Sequence, residues 1–88
     1  MSKLQKLIQL VLSGQSDGNI GFNELCNLLI KYGFEQRVRG SHHVFHKTGV
    51  NEIINLQPKG ANAKAYQVKQ VRDLMVKYRL NVEGEINE

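Results

Sequence analysis

Apolar residues recur with the ~3.6-residue period of an amphipathic helix in three stretches of the chain, residues 3–13, 23–32 and 64–78. This spacing puts the apolar side chains of each stretch on one face, so each stretch predicts a helix that packs on a core. The expected buried residues are Leu4, Leu7, Ile8, Val11 and Leu12 in the first helix, Phe22, Leu25, Leu28, Leu29 and Tyr32 in the second, and Val68, Val71, Leu74, Met75 and Tyr78 in the third.

Polar and small residues mark the ends of these helices. Ser2 is expected to cap the first helix and Asn23 the second, because their side-chain oxygens accept a free backbone N–H of the first turn. Gly33 is expected to end the second helix in the left-handed conformation. Tyr66 lies at the start of the third helix, and we interpret its ring as a core or flanking group rather than a base-stacking platform.

Between the second and third helices the pattern changes to alternation, which predicts β-strands at residues 34–39, 42–47 and 52–56. Short turns at Gly40-Ser41 and at residues 48–51 make these strands an antiparallel meander. The segments rich in turn-forming residues are expected to be loops, namely 14–19 and 57–62.

The order of helix, helix, three strands and helix predicts an α+β fold with helices on one face of a three-stranded antiparallel sheet. The other face of the sheet is expected to be open to solvent or to a partner. The α-β-β-β-α domain occupies residues 22–80. Residues 1–21 form a helix and loop extension, and residues 81–88 form an acidic flexible tail.

Composition narrows the class of protein. The 88 residues suit one small domain, and the hydrophobic content of 41% is too high for a disordered chain. The single cysteine, Cys26, lies in the apolar pattern of the second helix and is expected to be a buried structural thiol, which excludes an internal disulfide framework. With no signal peptide and no apolar run of ~20 residues, we expect a cytoplasmic protein that is not bound to a membrane.

The net charge of +4 is unevenly distributed along the chain. Residues 1–33 carry a net charge of +1, residues 34–79 carry +6, and residues 80–88 carry −3. The basic segment is therefore the one that contains the strands. A concentrated positive field attracts polyanions such as nucleic acids, although a soluble basic surface without that role has the same composition.

All three histidines, His42, His43 and His46, lie within five positions on the second strand. Phe45 is the large apolar residue of this strand and should point to the helices. Alternation then places His43 on the same side as Phe45, and His42 and His46 on the open face. Two arginines of the preceding strand are expected on that face, Arg37 and Arg39.

Histidine titrates near neutral pH, so a neutral His42 can act as a general base towards the 2′-hydroxyl of RNA. The freed oxygen attacks the adjacent phosphorus and yields a 2′,3′-cyclic phosphate. Cations such as Arg39, Lys47 or Lys59 can stabilise the charge that develops. This chemistry requires no metal and no cofactor, and His46 is the candidate for a second proton-transfer group.

Two other interpretations of the histidines remain open. A histidine in a strand commonly packs, forms hydrogen bonds or is simply solvated, and this applies first to His43. A metal site is the weaker alternative, because His43 should point away from the other two and no acidic or thiol ligand accompanies them.

The run Arg39-Gly40-Ser41-His42-His43-Val44-Phe45, with Tyr32-Gly33-Phe34 before it, resembles the HicA family of bacterial toxins. The resemblance covers about residues 22–78. Its most specific element is Gly-Ser-His-x-x-aromatic, which here comprises Gly40, Ser41, His42 and Phe45.

This resemblance implies a fold similar to double-stranded-RNA-binding domains and a translation-independent ribonuclease activity on mRNA, in which His42 is catalytic. It also implies a HicB-type antitoxin that covers the active site. Where the family commonly carries a Pro-His strand end, this chain reads Leu56-Gln57-Pro58. The expected RNA contacts are Arg37, Arg39, His46, Lys47, Lys59 and Lys64.

Two rival functions stand beside the ribonuclease. One is a non-catalytic RNA-binding module of the same fold, and the other is a protein-interaction domain whose basic face meets an acidic partner. The helix at residues 3–13 either packs on the domain or mediates self-association, as in a homodimer, or antitoxin contact.

Overall fold

In the computed structural model, which describes residues 2–82, the chain begins with the predicted helix α1 (Lys3–Ser13). Ser2 caps this helix as expected, because its Oγ accepts a hydrogen bond from the backbone N–H of Gln5 over 3.1 Å. Gly14 ends the helix in the left-handed conformation, with a φ of +73°. Residues 83–88, which belong to the predicted acidic tail, lie outside the described residues.

Helix α2 (Phe22–Lys31) already contains Asn23, so the prediction of Asn23 as its cap is wrong. Gly21 takes the position before the helix, and the backbone N–H of Phe22 donates to the carbonyl of Ala61 over 2.9 Å. That long-range hydrogen bond fixes the chain direction at residue 22 and starts the helix there. Gly33 lies beyond the end of the helix with a φ of +95°, as predicted.

The three predicted strands form one antiparallel sheet in the order β1-β2-β3. Their bounds are Glu35–Arg39 for β1, His42–Lys47 for β2 and Val50–Leu56 for β3. Strand β3 begins two residues earlier than predicted, because Thr48 and Gly49 alone make the turn and Gly49 has a φ of +91°. A bulge interrupts the pairing of β2 with β3 between Phe45 and Lys47.

A small hairpin replaces the predicted loop at residues 57–62. It consists of β4 (Pro58–Lys59) and β5 (Asn62–Ala63), which pair with each other. The backbone N–H of Ala63 donates to the carbonyl of Ile20, and Asn62 bridges to Gly21, so the hairpin joins the entrances of α2 and of the last helix. The other predicted loop, at residues 14–19, contains a short 3-10 helix at Asp17–Asn19.

The last helix, α3 (Ala65–Lys77), and α2 cover one face of the sheet, as the pattern predicted. The core consists of fully buried side chains from the sheet (Phe45, Ile54 and Leu56), from α2 (Leu25, Leu28 and Leu29), from α3 (Val68 and Val71) and from α1 (Val11). Burial raises the pKa of the Cys26 thiol to about 11, which disfavours the reactive thiolate.

Helix α1 packs on the domain at its C-terminal end. Arg72 of α3 donates from Nη1 to the carbonyl of Val11 over 3.2 Å and forms an ion pair with Asp17 over 2.8 Å. Leu12, predicted to be buried, is 45% exposed, because only the Val11 side of the last turn meets the core. Among residues 2–82, none of the helices has the length and apolar content needed to cross a bilayer.

Candidate functional site

The tight turn between β1 and β2 brings His42 opposite Arg39. Gly40 occupies the left-handed region with a φ of +58°, which a side chain would disfavour, and Ser41 completes the turn. Arg39 and His42 are direct cross-strand partners and therefore share one face of the sheet. Both residues are exposed, so the structure presents an imidazole and a guanidinium side by side to solvent.

Alternation in β2 separates the histidines as predicted. Phe45 is fully buried on the helix side. On the same side, the rings of His43 and Phe22 form a T-shaped contact with a centroid distance of 4.8 Å, and Nδ1 of His43 lies 2.9 Å from Oε1 of Gln36. These contacts give His43 a packing role and leave His42 on the opposite face.

His46 shares the face of His42 but lies at the other end of the strand. Its Nε2 is 3.6 Å from a carboxylate oxygen of Glu35, the residue opposite it in β1. Four residues at ~3.3 Å each separate the two histidines by about 13 Å along β2. They are too far apart to serve the same phosphate, and His46 therefore remains only a candidate RNA contact.

The side chain of Gln57 connects His42 to Lys64. The Nζ of Lys64 donates to Oε1 of Gln57 over 3.1 Å, while Nε2 of Gln57 lies 3.0 Å from Nδ1 and 2.9 Å from Nε2 of His42. Because an ammonium only donates, the Gln57 atom beside it must be the oxygen, and the NH₂ group must face the histidine. The side-chain NH₂ group of Gln57 therefore lies against the ring of His42, close to both of its nitrogens.

Gln67 of α3 fixes the two residues of this connection, Gln57 and Lys64, through their backbones. Its side chain is buried, and its Oε1 accepts hydrogen bonds from the backbone N–H groups of Gln57 over 3.2 Å and of Lys64 over 3.4 Å. The single buried amide of Gln67 thus fixes the end of β3 and the start of α3. The positions of Gln57 and Lys64 therefore both depend on Gln67.

The predicted cations do not form one cluster. Arg39 is the cross-strand partner of His42, and Lys64 is connected to His42 through Gln57. Arg37 lies further along the same face, opposite Val44, and Lys59 is exposed on β4. Lys47 lies past the bulge, opposite Val50, and so belongs with His46 at the distant end of β2.

A cavity of about 240 Å³ opens beside His42, between the outer edge of β3 and the first turns of α3. Apart from His42, its walls consist of Ile53, Asn55, Gln57, Tyr66, Gln67 and Gln70. None of these six was predicted as a site residue. The one sequence signal was the i, i+4 spacing of Tyr66 and Gln70, which places both on one face of α3.

The ring of Tyr66 was expected in the core or on a flank, and it lies outside the core. It is 65% exposed and lines the cavity. Val68 and Val71 occupy the inner face of α3. Tyr66, in the first turn of the helix, lies on a different face, which is next to β3. An aromatic ring therefore borders the site that contains His42.

Among residues 2–82, no three His, Cys, Asp or Glu side chains converge as metal ligands would. Comparison of the chain with models of known families, with curated proteins and with solved structures found no match in any of the three.

Proposed function

We propose that this protein is a HicA-like endoribonuclease toxin with a fold similar to that of double-stranded-RNA-binding domains, and that His42 is its catalytic residue. The observation that carries the proposal is the exposed His42 on the Gly40-Ser41 turn, with Arg39 opposite it and Lys64 connected to it through Gln57. A proton acceptor between two cations matches the needs of phosphodiester cleavage.

In the proposed reaction, Gln57 holds the imidazole of His42 in position. A ring nitrogen of His42 that carries no proton removes the 2′-hydroxyl proton, and the 2′-oxygen attacks the adjacent phosphorus. The bond from phosphorus to the 5′-oxygen breaks, and that oxygen takes a proton from the imidazolium or from water. The products are a 2′,3′-cyclic phosphate and a 5′-hydroxyl, and DNA is excluded because it lacks the attacking hydroxyl.

Arg39 and Lys64 have the electrostatic role in this scheme. Negative charge accumulates on the equatorial oxygens of the phosphorane, and cations in fixed positions stabilise that charge more in the transition state than in the substrate. Lys64 is already held by Gln57 and by its place at the start of α3. Arg37 and Lys59 extend the positive surface along which the RNA backbone would bind.

The expected protein partner is a HicB-like antitoxin, and the open face around Arg37, Arg39 and His42 is the surface that it would cover. A non-catalytic RNA-binding module of the same fold is the second candidate, favoured by the exposure of all five residues of β1. The two differ in whether His42 is needed for bond cleavage or only for contact.

The deciding experiment incubates end-labelled single-stranded RNA in EDTA with the wild type and with His42→Ala. We expect the wild type to release fragments that end in a cyclic phosphate, and the variant to lose roughly 10²–10⁴-fold in rate. A melting temperature equal to that of the wild type would show that the variant is folded. Binding of RNA by both proteins without cleavage by either would support the binding module instead.

A further inference from the structure

The cavity beside His42 has an unusual composition for the surface of a small domain. Two large apolar side chains, Ile53 of β3 and Tyr66 of α3, are 62% and 65% exposed and border the same space. Single exposed apolar residues are common and need no explanation. A pair that faces one opening suggests a ligand with an apolar surface.

The polar walls of the cavity fall into two groups. Gln57 and Gln67 use their side-chain amides within the protein, on His42, Lys64 and the backbone. Asn55 and Gln70 make no side-chain hydrogen bond to any other residue of the range 2–82. Each offers a free carbonyl and a free NH₂ group, which can accept from and donate to the same ligand.

These features together match the chemistry of a nucleobase. Unpaired bases in RNA complexes stack on aromatic rings and form hydrogen bonds along their edges with side-chain amides. The volume of about 240 Å³ is below the ~300–1,000 Å³ of sites for drug-sized ligands, and so suits one planar group. A duplex keeps its bases stacked inside, so the ligand must be single-stranded at this point.

We propose that the Tyr66 cavity binds one unstacked nucleobase of single-stranded RNA, next to the phosphate that His42 faces. Tyr66 stacks on the base, Ile53 supports it, and Asn55 and Gln70 contact its edge. The link to cleavage rests on the proposed function, whereas binding of the base does not. The cavity is therefore the site at which the protein distinguishes one RNA sequence from another.

The test uses a short single-stranded RNA in which 2-aminopurine replaces one base at a time. The 2′-hydroxyls of this RNA are methylated, so the wild type cannot cleave it. The fluorescence of 2-aminopurine falls when the base stacks on an aromatic ring, which identifies the position that enters the cavity. We compare the wild type with Tyr66→Ala and Tyr66→Phe. Val76→Ala is the matched control, because Val76 lies on the same helix and is also 65% exposed.

We expect quenching at one position with the wild type and Tyr66→Phe, and its loss with Tyr66→Ala. Removal of a stacking ring should weaken RNA binding by roughly 5- to 150-fold, while Val76→Ala should leave it unchanged. Equal quenching and affinity with Tyr66→Ala would overturn the proposal. Free mononucleotides serve as the second ligand. Quenching that occurs with the RNA and not with the free mononucleotide supports a subsite for a base of RNA. Tighter binding of the mononucleotide than of the RNA would overturn the proposal.

The same proteins separate this inference from the proposed function. If the wild type cleaves RNA and Tyr66→Ala cleaves it at the same sites and rate, the base subsite is wrong and the ribonuclease stands. If nothing cleaves but quenching depends on Tyr66, the ribonuclease is wrong and the base subsite stands. Asn55→Ala and Gln70→Ala should retain the quenching and reduce the preference among four RNAs that differ only at the quenched base.

Discussion

Strand β3 is connected to α3 at both of its ends, and the two connections differ in one respect. At the start of β3, Glu52 receives hydrogen bonds from Nζ of Lys77 and from the hydroxyl of Tyr78, both over 2.6 Å. At its end, Gln57 and the buried Gln67 make the connection. The first junction contains the ion pair of Lys77 with Glu52, and the second consists of hydrogen bonds made by side-chain amides.

The Glu52 junction is complete in itself. Both carboxylate oxygens have donors, and the tyrosine hydroxyl also accepts from the backbone N–H of Asn51 over 3.3 Å. At the Gln57 junction, His42 is exposed, and the side-chain amides of Asn55 and Gln70 have no hydrogen-bond partner among residues 2–82. Polar groups that are satisfied within the fold stabilise it, whereas polar groups left open around a cavity are available to a ligand.

The largest effect on stability is expected from Gln67→Met, which keeps the volume of the side chain but removes the acceptor for two backbone N–H groups. A buried donor left unsatisfied costs about 1–3 kcal/mol, and each kcal/mol lowers the melting temperature by roughly 4–8 °C at this size. Gln70→Met, one turn further along α3, is the matched control and should melt like the wild type. If the two variants have the same melting temperature, Gln67 does not anchor the site.

The Glu52 junction should make the folding stability of the protein decrease in acid. Hydrogen bonds from Lys77 and then Tyr78 lower the pKa of Glu52 from 4.5 to about 2, so the unfolded chain binds more protons in that interval. The stabilisation is fully present above pH 4.5 and is lost as the pH falls towards 2. We expect Glu52→Gln to melt lower at neutral pH and to flatten this part of the stability curve.

Tyr78→Phe removes one of the two donors to Glu52 and should give a curve between those of the wild type and Glu52→Gln. Melting temperatures from pH 2 to pH 7 measure all three proteins. RNA cleavage at neutral pH should be the same in each, since this junction lies at the opposite end of β3 from His42. A loss of cleavage in a folded Glu52→Gln protein would contradict the separation of the two junctions.

Substitutions at the Gln57 junction should change the rate of RNA cleavage. Gln57→Glu still accepts from Lys64 but has no NH₂ group to place beside the ring of His42. If Gln57 is a positioning residue, kcat should fall by roughly 2- to 10-fold, the worth of one hydrogen bond, with little change in KM. Gln57→Ala removes both contacts and should fall further. A change in KM alone would make Gln57 an RNA contact.

Local patterns predicted much of this structure. The stripe of α2 and the alternation of β2 depend on periods of 3.6 and 2, which neighbouring residues reveal, and Ser2 acts on the turn directly after it. The position of Phe45 and His43 on the helix side followed from the same alternation. The histidine face could therefore be found without a structure.

The remainder depends on contacts between distant segments. Gln57, Gln67 and Tyr66 lie in a predicted loop or on a predicted helix, and no local pattern shows that they meet beside His42. At the start of α2, Phe22 bonds to Ala61, and Ala63 of the β4–β5 hairpin bonds to Ile20. Each of these features involves partners whose proximity only the folded chain establishes.

The smallest effect expected is that of a single cation on the open face. Arg39→Ala should weaken binding of single-stranded RNA and lower the slope of log affinity against log salt by about 0.7, the value for one phosphate contact. Lys6→Ala, an exposed cation on α1, is the matched control and should leave the slope unchanged. Affinities measured across a salt series with His42→Ala as the background avoid cleavage. An equal change with Lys6→Ala would mean that RNA responds to net charge alone, and the His42 face would then have no privileged role in binding.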